Sequence, residues 1–421
     1  MEPITSIRGF KDILPGESEK WQFVERKARE VFGAYGVREL RIPILEKTDL
    51  FRRGIGETTD IVEKEMYTFL DRGEESLTLR PEATAGAIRS YIEHHFYETD
   101  PVARLYTIGP MFRRERPQKG RYRQFHQINV EMLGYEDPRV DGELIGMLMA
   151  FLTSLGIGDL DLEINSLGCA GCRPLFREKV VRYLGDREDT LCPDCRRRLR
   201  TNPLRIFDCK VAECREAVRE APVILDSVCD GCREHFEKVK ELLSSIGVPF
   251  RVNPRMVRGL DYYKKTAFEV IGHSLGAQNA VAGGGRYDGL VRDLGGPDIP
   301  GIGFAIGFER LVSMLPGRDE DYAPAPDLFV ATLGREAEDT AFRLLNDLRG
   351  KGLRAETDFS GKSLKAQMKR ANRSGASHVL IVGGDELAEG ALVLRDMKNG
   401  VQEKMPIPDA VVKIEEIFHV R

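Results

Sequence analysis

Residues 112–131 have the sequence FRRERPQKGRYRQFHQINVE, which predicts two β-strands joined by a long basic loop. Because strand side chains alternate between the two faces of a sheet, seven residues in and next to this stretch should share one surface. They are Met111, Arg113 and Glu115 on the first strand and Phe125, Gln127, Asn129 and Glu131 on the second. The loop charges would repel one another unless phosphates or carboxylates lay nearby, so we predict a site for a polyanionic substrate. The alternative is a solvated basic hairpin, since exposed arginine is common.

The composition of the chain is that of an ordinary globular protein. It has 421 residues, of which 42% are apolar and 31% charged, enough for two or three domains. The formal net charge is only −4, so a nucleic-acid partner would have to be bound by local basic patches. The N-terminus lacks an apolar core of signal-peptide length, and no run of about 18 apolar residues occurs. We therefore expect a cytoplasmic protein with no membrane partner.

A helix and an irregular strand are predicted near the N-terminus. Residues 17–35 carry apolar side chains at helical spacing. Residues 37–51, VRELRIPILEKTDLF, predict a strand that Pro43 interrupts, because proline is tolerated mainly at sheet edges and bulges.

A hairpin and a second helix are predicted next. Residues 64–81 should turn at residues 71–73, and an amphipathic helix follows. In the stretch TLRPEATAG, residues 78–86, Glu82 and Thr84 lie where that helix begins. An acid in the first turn is also favourable through the helix macrodipole alone, so Glu82 has a structural explanation beside a functional one.

Three glycine-containing motifs lie further along the chain. They are RGLDYY at residues 258–263, AGGGRYDGL at 282–290 and GIGFAIGFERLVSML at 301–315. The last predicts a strand that runs into a helix, with Arg310 near the first turn. A cation there is unfavourable by the helix dipole, so we expect Arg310 to have a negative partner.

The C-terminal region predicts a small α/β domain. After the Pro/Ala linker DYAPAPD, residues 321–327, strands and helices alternate to the end of the chain. One predicted helix carries a basic stripe formed by Lys362, Lys365, Lys369 and Arg373. A solvated face is the alternative explanation of such a stripe.

Together these motifs resemble the histidyl-tRNA synthetase family of the class II aminoacyl-tRNA synthetases. The basic hairpin resembles motif 2, the helix with its Pro43 strand resembles motif 1, and residues 301–315 resemble motif 3. The segment TLRPEATAG resembles the family's TLRPEGTA, with Ala83 in place of the usual glycine, which places the local backbone geometry in question. RGLDYY and GGGRYDGL resemble the two peptides that distinguish this family within its class.

The resemblance implies the domain organisation. An α+β catalytic domain with the antiparallel sheet of the class II fold would span residues 1–167 and 248–320. A cysteine-rich domain that binds the tRNA acceptor arm would be inserted at residues 168–247, and a C-terminal α/β anticodon-binding domain would span residues 326–421. The protein would act as a homodimer on L-histidine, ATP with Mg²⁺, and tRNA(His).

The resemblance also implies roles for individual residues. Those expected to stabilise the charge that develops at the α-phosphate are Arg113 and Arg258. Those expected to surround the nucleotide are Arg113, Glu115, Arg121, Phe125, Arg258 and Arg310. Those expected to bind histidine are Glu82, Thr84, Gln127, Glu131, Tyr262, Tyr263 and Tyr287. Those expected to contact the tRNA acceptor end are Arg116 and Gln118.

A different function within the same fold is the main alternative. A paralogue of the family serves as a noncatalytic regulatory subunit in histidine biosynthesis. The complete RGLDYY, the motif 2 arginines and the C-terminal α/β domain argue against that alternative here.

All eight cysteines lie between residues 169 and 232, where clustering in a reducing compartment favours metal ligation or buried thiols over disulfides. Spacing predicts one quartet from Cys169, Cys172, Cys192 and Cys195 and a second from Cys209, Cys214, Cys229 and Cys232. The quartets could also mix. We expect at least one structural zinc, which the resemblance does not imply, and expect its removal to weaken tRNA charging but to spare pyrophosphate exchange.

Overall fold

The computed structural model describes residues 3–57, 59–117, 120–275 and 279–419. The chain forms two compact units that divide between Asp321 and Tyr322, at the start of the predicted linker. Within the described ranges, no helix has both the length and the apolar character needed to cross a membrane.

The described residues form sixteen β-strands and fifteen α-helices. The strands are β1 (Arg38–Glu39), β2 (Leu45–Lys47), β3 (Tyr67–Leu70), β4 (Ser76–Leu79), β5 (Ala103–Phe112), β6 (Gln124–Leu133), β7 (Leu160–Ser166), β8 (Arg251–Val252), β9 (Lys264–Gly272), β10 (Ala280–Arg286), β11 (Gly301–Gly307), β12 (Leu328–Leu333), β13 (Ala355–Thr357), β14 (His378–Gly383), β15 (Ala391–Asp396) and β16 (Gln402–Pro406). The α-helices are α1 (Glu17–Ala34), α2 (Thr48–Ile55), α3 (Thr84–Glu93), α4 (Phe96–Thr99), α5 (Pro138–Ser154), α6 (Cys172–Gly185), α7 (Pro193–Thr201), α8 (Ala212–Ala217), α9 (Asp230–Ser245), α10 (Leu290–Asp293), α11 (Phe308–Ser313), α12 (Arg335–Gly350), α13 (Leu364–Ser374), α14 (Gly384–Ala388) and α15 (Ile407–Phe418).

An eight-stranded sheet forms the centre of the first unit, in the order β1-β5-β6-β11-β10-β9-β7-β8. Its inner pairs are antiparallel, which confirms the predicted class II fold, and the two-residue strands β1 and β8 pair in parallel at its edges. Helices α1 and α5 cover one face, where the Phe32 ring lies 5.2 Å from Phe151 and 6.2 Å from Phe304. The opposite face is left for the candidate site.

The strand β5 is shorter than the sequence predicts. It pairs with β6 up to Phe112, opposite Gln124, and the chain then leaves the ladder because the Arg114 N–H donates to the carbonyl of Glu65 at 2.7 Å. The Arg113 N–H still donates to the carbonyl of Arg123 at 2.9 Å, so only the predicted length of the strand is wrong, and Arg113 and Glu115 lie on the same side as Phe125. The alternation predicted along β6 holds through its whole length.

Pro43 separates β1 from β2, and the predicted hairpin forms from β3 and β4. Its turn is fixed by Asp71, whose Oδ1 accepts hydrogen bonds from the backbone N–H groups of Gly73 and Glu75 at 2.8 and 2.9 Å. With β2 the hairpin forms a three-stranded sheet in the order β2-β4-β3. The loop that follows leads into α3 at Thr84.

The chain between β7 and β8 is helical and is built around its own small core. Helices α6 to α9 and short 3₁₀ turns surround buried apolar side chains that include Phe176, Val180, Leu184 and Ile206. Most of the cysteines are buried in the same core. The last helix, α9, packs along α5, where Leu242 approaches Gly142.

The second unit confirms the predicted α/β alternation. Its sheet has the order β13-β12-β14-β15-β16, with β12 parallel to both neighbours and the last two strands antiparallel. The five-residue helix α14 was not predicted, because a single turn carries no periodic signal. On α13, Gln367 and Ala371 are buried, while the residues of the predicted basic stripe are exposed.

Candidate active site

A pocket of about 270 Å³ opens on the uncovered face of the eight-stranded sheet. It lies over β6, β9, β10 and β11 and is bordered by residues 258–263 and by the chain that follows β5. The structure brings twelve of the predicted residues together in its lining: Glu82, Thr84, Arg113, Glu115, Arg121, Phe125, Gln127, Arg258, Tyr262, Tyr263, Tyr287 and Arg310. Arg116 lies exposed on the loop outside it, and Gln118 falls outside the described residues.

Glu131 lies buried on β6 beneath the closed end of the pocket, with an exposed fraction of 3%. Thr84 donates its hydroxyl to Oε1 at 2.7 Å, and Tyr287 donates its hydroxyl to Oε2 at 2.5 Å. Burial raises the pKa of Glu131 to about 8, against the lowering effect of these two hydrogen bonds. The carboxyl group is therefore fixed in position and surrounded by hydroxyl donors.

Three tyrosines form the wall of the same end. The Tyr262 ring lies 4.7 Å from the Tyr263 ring and 5.8 Å from the Tyr287 ring. Burial raises the pKa of each of these phenols, so all three are neutral hydrogen-bonding groups at neutral pH. The closed end of the pocket therefore presents three neutral phenol groups close to the carboxyl group of Glu131.

Tyr287 is held in place by its neighbour in the chain. Arg286 is fully buried, and its Nε donates to the Asp141 carboxylate at 2.7 Å. The same carboxylate accepts from Thr266 at 2.6 Å and contacts His235 Nε2 at 2.6 Å. Buried charges of this kind are tolerated only when paired and hydrogen-bonded, which fixes the position of the backbone here.

Glu82 acts as a cap of α3 as well as a lining residue. Its carboxylate accepts hydrogen bonds from the backbone N–H groups of Thr84 and Ala85, both at 2.8 Å. Burial raises the pKa of Glu82, and the backbone donors oppose that rise. The carboxylate therefore caps the helix and also lines the pocket, where its functional role stays a prediction.

The open end of the pocket is rich in arginine. Arg113 donates from Nε to the carbonyl of Pro81 at 2.8 Å, and its guanidinium lies 5.1 Å from the centre of the Phe125 ring. Arg121 pairs with Glu115 at 2.8 Å. Arg310 donates to the carbonyls of Gly120 and Ala280, at 3.3 and 2.8 Å. Cations fixed in this way favour a ligand with several negative charges.

Arg258 stands between the two ends. Its Nη1 pairs with Glu269 Oε1 at 2.9 Å, and its guanidinium lies 5.6 Å from the centre of the Tyr263 ring. Among the described residues, three buried lining atoms have neither a hydrogen-bond partner nor an ion pair: Arg258 Nε, Gln127 Oε1 and Asn129 Oδ1; a fourth, Glu115 Oε2, has only its ion pair with Arg121. Since buried polar atoms are normally paired, these three indicate that a ligand completes the site.

The glycines of β10 and β11 let these side chains approach the sheet. A methyl group on Gly303 would overlap Oε2 of Glu131, and one on Gly283 would overlap the guanidinium of Arg258. These two glycines thus leave the space that the side chains of Glu131 and Arg258 occupy.

The sequence prediction placed Asn129 on this sheet face but gave it no binding role, and it did not consider Glu269; both line the pocket. Asn129 shares the face of β6 with Gln127 and Glu131, so strict alternation already marks it. Glu269 is a carboxylate within the apolar strand β9, and such an isolated charge is a signal that the prediction did not use.

The eight cysteines form two clusters, and their pairing corrects the prediction. The neck cluster contains Cys169, Cys172, Cys229 and Cys232, and the distal cluster contains Cys192, Cys195, Cys209 and Cys214. The predicted quartets of consecutive pairs are therefore wrong. The inserted chain leaves the sheet after β7 and returns to β8 beside it, so its first and last pairs meet and the middle pairs are left to each other.

Comparisons with known proteins agree with the fold and the site. A family model described as histidyl-tRNA synthetase matches residues 9–172 and 193–311, and one described as anticodon binding domain matches residues 327–417. A histidine–tRNA ligase of Geobacter sulfurreducens is 57% identical over 404 residues, which cover 96% of this chain and 97% of that protein.

Solved structures extend the comparison. The apo histidyl-tRNA synthetase of S. aureus matches with a TM-score of 0.82 and 38% identity, covering 98% of this chain and 99% of that one. A Bacillus halodurans chain described as an ATP phosphoribosyltransferase regulatory subunit/histidyl-tRNA synthetase matches with a TM-score of 0.66 and 22% identity, covering 91% of this chain and 100% of that one. Likeness at that identity shows the fold alone.

Proposed function

The chain belongs to the histidyl-tRNA synthetase family and is an ATP-dependent histidine–tRNA ligase, and from this premise we propose how its pocket works. The observation that carries the proposal is the buried Glu131, held by Thr84 and Tyr287 at the closed end, opposite a cluster of arginines at the open end. One pocket thus offers a place for histidine and a place for ATP.

Histidine binds at the closed end. Glu131 and Tyr263 hydrogen-bond the two imidazole nitrogens, while Tyr262 and Tyr287 enclose the ring. Glu82, Thr84 and Gln127 hold the α-ammonium group, for which the free Oε1 of Gln127 is an available acceptor. A site of this kind rejects rings without both nitrogens by on the order of ten-thousandfold, because its own polar groups would be left unpaired.

ATP binds at the open end. Phe125 supports the adenine ring, and Arg121 and Arg310 meet the outer phosphates. In this family ATP is normally bound together with Mg²⁺, an ion that prefers oxygen ligands. Glu115 and Glu269 carry the carboxylates of this end, so they fit that preference and would hold the ion.

The reaction takes place between the ligands bound at the two ends of the pocket. The histidine carboxylate attacks the α-phosphorus of ATP, and the bond to the leaving pyrophosphate breaks, which gives histidyl-adenylate. Arg113 and Arg258 stabilise the negative charge that develops on the α-phosphate, because they are already oriented by Pro81 and Glu269. A ribose hydroxyl at the 3′ end of tRNA(His) then attacks the activated carbonyl and releases AMP.

The remaining parts of the chain bind tRNA. The catalytic domain comprises residues 1–167 and 248–320, and Arg116 and Gln118 on its basic loop contact the acceptor end. Residues 168–247 contact the acceptor arm through the exposed Arg196, Arg197 and Arg200. The neighbouring Arg198 and Arg205 instead pair with Asp60. Residues 326–421 bind the anticodon, with the exposed stripe of α13 as the contact surface.

The protein works as a homodimer in the cytoplasm. Four large apolar side chains are exposed on and beside the three-stranded sheet: Ile44, Leu45, Phe69 and Leu70, with exposed fractions from 38% to 67%. Exposed apolar side chains grouped in this way are typical of a protein interface. This surface includes the segment that resembles motif 1.

Each cysteine cluster holds one structural zinc ion. A tetrahedral zinc site with Zn–S bonds of about 2.3 Å separates its sulfurs by about 3.8 Å. The Sγ atoms of Cys169 and Cys172 are 3.6 Å apart, and those of Cys172 and Cys232 and of Cys192 and Cys209 are 3.9 Å apart. These separations fit zinc and are far too long for disulfides, whose sulfurs lie about 2.05 Å apart.

Histidine-dependent exchange of pyrophosphate into ATP, followed by charging of tRNA(His), tests the function. We expect both activities, and we expect no exchange with the other amino acids. A folded protein without exchange would instead favour the regulatory subunit, which the full-length ligase relatives disfavour.

A further inference from the structure

The segment that carries Arg258 and Tyr263 is not held by the sheet alone. On its outer side, a cavity of about 430 Å³ separates residues 254–261 from α6 and from residues 201–207. Across this cavity, polar contacts join the segment to the inserted chain. The side chains that make these contacts belong to residues that lie near the clustered cysteines in the sequence.

The first contact comes from the neck cluster. Arg173 directly follows Cys172 and donates to three backbone carbonyls, those of Leu167, Asp261 and Tyr263. Two of these carbonyls belong to the histidine-binding segment. The backbone N–H of Cys229 also donates to Cys172 Sγ at 3.1 Å, so the two ends of the insertion meet at this point.

The second contact comes from the distal cluster. Asn202 and Arg205 lie between Cys195 and Cys209, on the turn that those two cysteines enclose. Asn202 donates to the Asp261 carboxylate at 3.1 Å, and Arg205 donates to the carbonyl of Arg258 at 3.2 Å.

We infer that the zinc-bound cysteine clusters position the segment 258–263, so that zinc is required for histidyl-adenylate formation and not only for tRNA charging. This inference rests on the proposed function and on zinc at both clusters. Without zinc the four cysteines of a cluster take up protons and lose their bonds to a common centre, which releases the turns that carry Arg173 and Arg205. We therefore no longer expect zinc removal to spare pyrophosphate exchange. Arg173, Asn202 and Arg205 contact the catalytic segment itself, so loss of zinc should also slow exchange.

Arg173 is a positioning residue, and its test separates position from folding. In Arg173→Met we expect two zinc ions per chain to remain, while kcat for pyrophosphate exchange falls by about tenfold or more and KM for histidine rises. KM for ATP should stay within about twofold. Arg182→Met removes an exposed charge from the same helix and should match the wild type. Arg173→Lys should recover part of the rate, since one ammonium group cannot reach all three carbonyls.

Zinc removal from the full-length protein provides the second test. Elemental analysis of protein purified without added metal should find two zinc ions per chain. Chelation should reduce exchange in step with zinc loss, and added zinc should restore it. Zinc-free protein that still exchanges at the wild-type rate, or Arg173→Met with full zinc and a wild-type rate, would overturn the inference. Protein that contains no zinc as purified would overturn it as well. Zinc-loaded wild type without exchange would instead overturn the proposed function.

Discussion

At the scale of single residues, Glu131 and Arg258 divide the chemistry of the pocket. Glu131 is enclosed by hydroxyl groups, and within the described part of the chain no cation pairs with it, so we propose that it recognises a ring that donates hydrogen bonds. Arg258 lines the pocket and is paired with Glu269, and we propose that it stabilises the negative charge that develops during the reaction. Each assignment leads to its own prediction.

Glu131→Gln should weaken histidine binding by about tenfold to about a hundredfold, because an amide NH₂ replaces one carboxyl oxygen and leaves a buried polar group without its partner. ATP binding should change little, since the carboxyl group lies at the other end of the pocket. Separate titrations with histidine and with ATP measure the two effects. Glu163→Gln, which removes a buried carboxylate paired with Arg251 on the same sheet, is the control. Equal losses for both ligands would refute the placement of Glu131.

The raised pKa of Glu131 predicts a pH dependence of stability. Its folded pKa is about 8, whereas a glutamate in an unfolded chain titrates near about 4.3. Between these values the unfolded chain has released a proton that the folded protein keeps, so the free energy of unfolding falls as pH rises. Relative to Glu131→Gln, the ligand-free wild type should therefore lose thermal stability from about pH 5 to about pH 8. A constant difference in Tm across this window would contradict the raised pKa.

Arg258→Ala should preserve histidine binding but lower the rate of adenylate formation by about a hundredfold to about a thousandfold, because it removes charge needed mainly in the transition state. Single-turnover formation of adenylate measures the loss. The control is Arg251→Ala, which removes an arginine that is 66% exposed. A change confined to KM for histidine would show that Arg258 serves binding instead.

At the scale of elements, strand alternation predicted which side chains of β6 face the site, but it did not predict where β5 ends. Phe125, Gln127, Asn129 and Glu131 share one face of β6 because an antiparallel neighbour on each side keeps the strand regular. β5 is shorter than predicted because the backbone of Arg114 bonds to Glu65, a contact between segments far apart in sequence, although Arg113 still lines the pocket. Local periodicity contains no information about such a contact.

Close packing at one glycine of β11 predicts that a larger residue there disturbs histidine binding and stability. Gly303→Ala should raise KM for histidine and lower Tm, because its methyl group would overlap both Glu131 and the backbone of Val130. Gly307→Ala on the same strand would meet only Arg310, at 3.9 Å, and should keep the histidine KM of the wild type. Exchange kinetics and thermal melts check both variants. A Gly303→Ala protein with unchanged KM and Tm would contradict the described packing.

At the scale of the whole molecule, motif order predicted the architecture, and periodicity predicted nearly every element of the second unit. The pairing of the cysteines could not be predicted in the same way. Spacing identifies pairs such as Cys169 with Cys172, but which pairs meet depends on where β7 and β8 place the two ends of the insertion. Sheet order is a property of the folded chain and not of any one segment.

The exposed apolar surface predicts the oligomeric state. The protein should have twice the mass of one chain in solution, and Phe69→Asp should shift it toward the mass of one chain by placing a charge in the interface. Phe342→Asp changes a similarly exposed phenylalanine in the second unit and should leave the mass unchanged. Light scattering coupled to size exclusion measures all three proteins. A Phe69→Asp protein that keeps the wild-type dimer mass would refute this interface.

The central claim is that one pocket binds histidine at Glu131 and ATP among the arginines. A crystal structure with a nonhydrolysable histidyl-adenylate analogue tests it most directly. We predict imidazole nitrogens within hydrogen-bond distance of Glu131 and Tyr263, adenine against Phe125, and the group that replaces the α-phosphate between Arg113 and Arg258. An imidazole bound at the Phe125 end, or an analogue bound outside the pocket, would contradict the account.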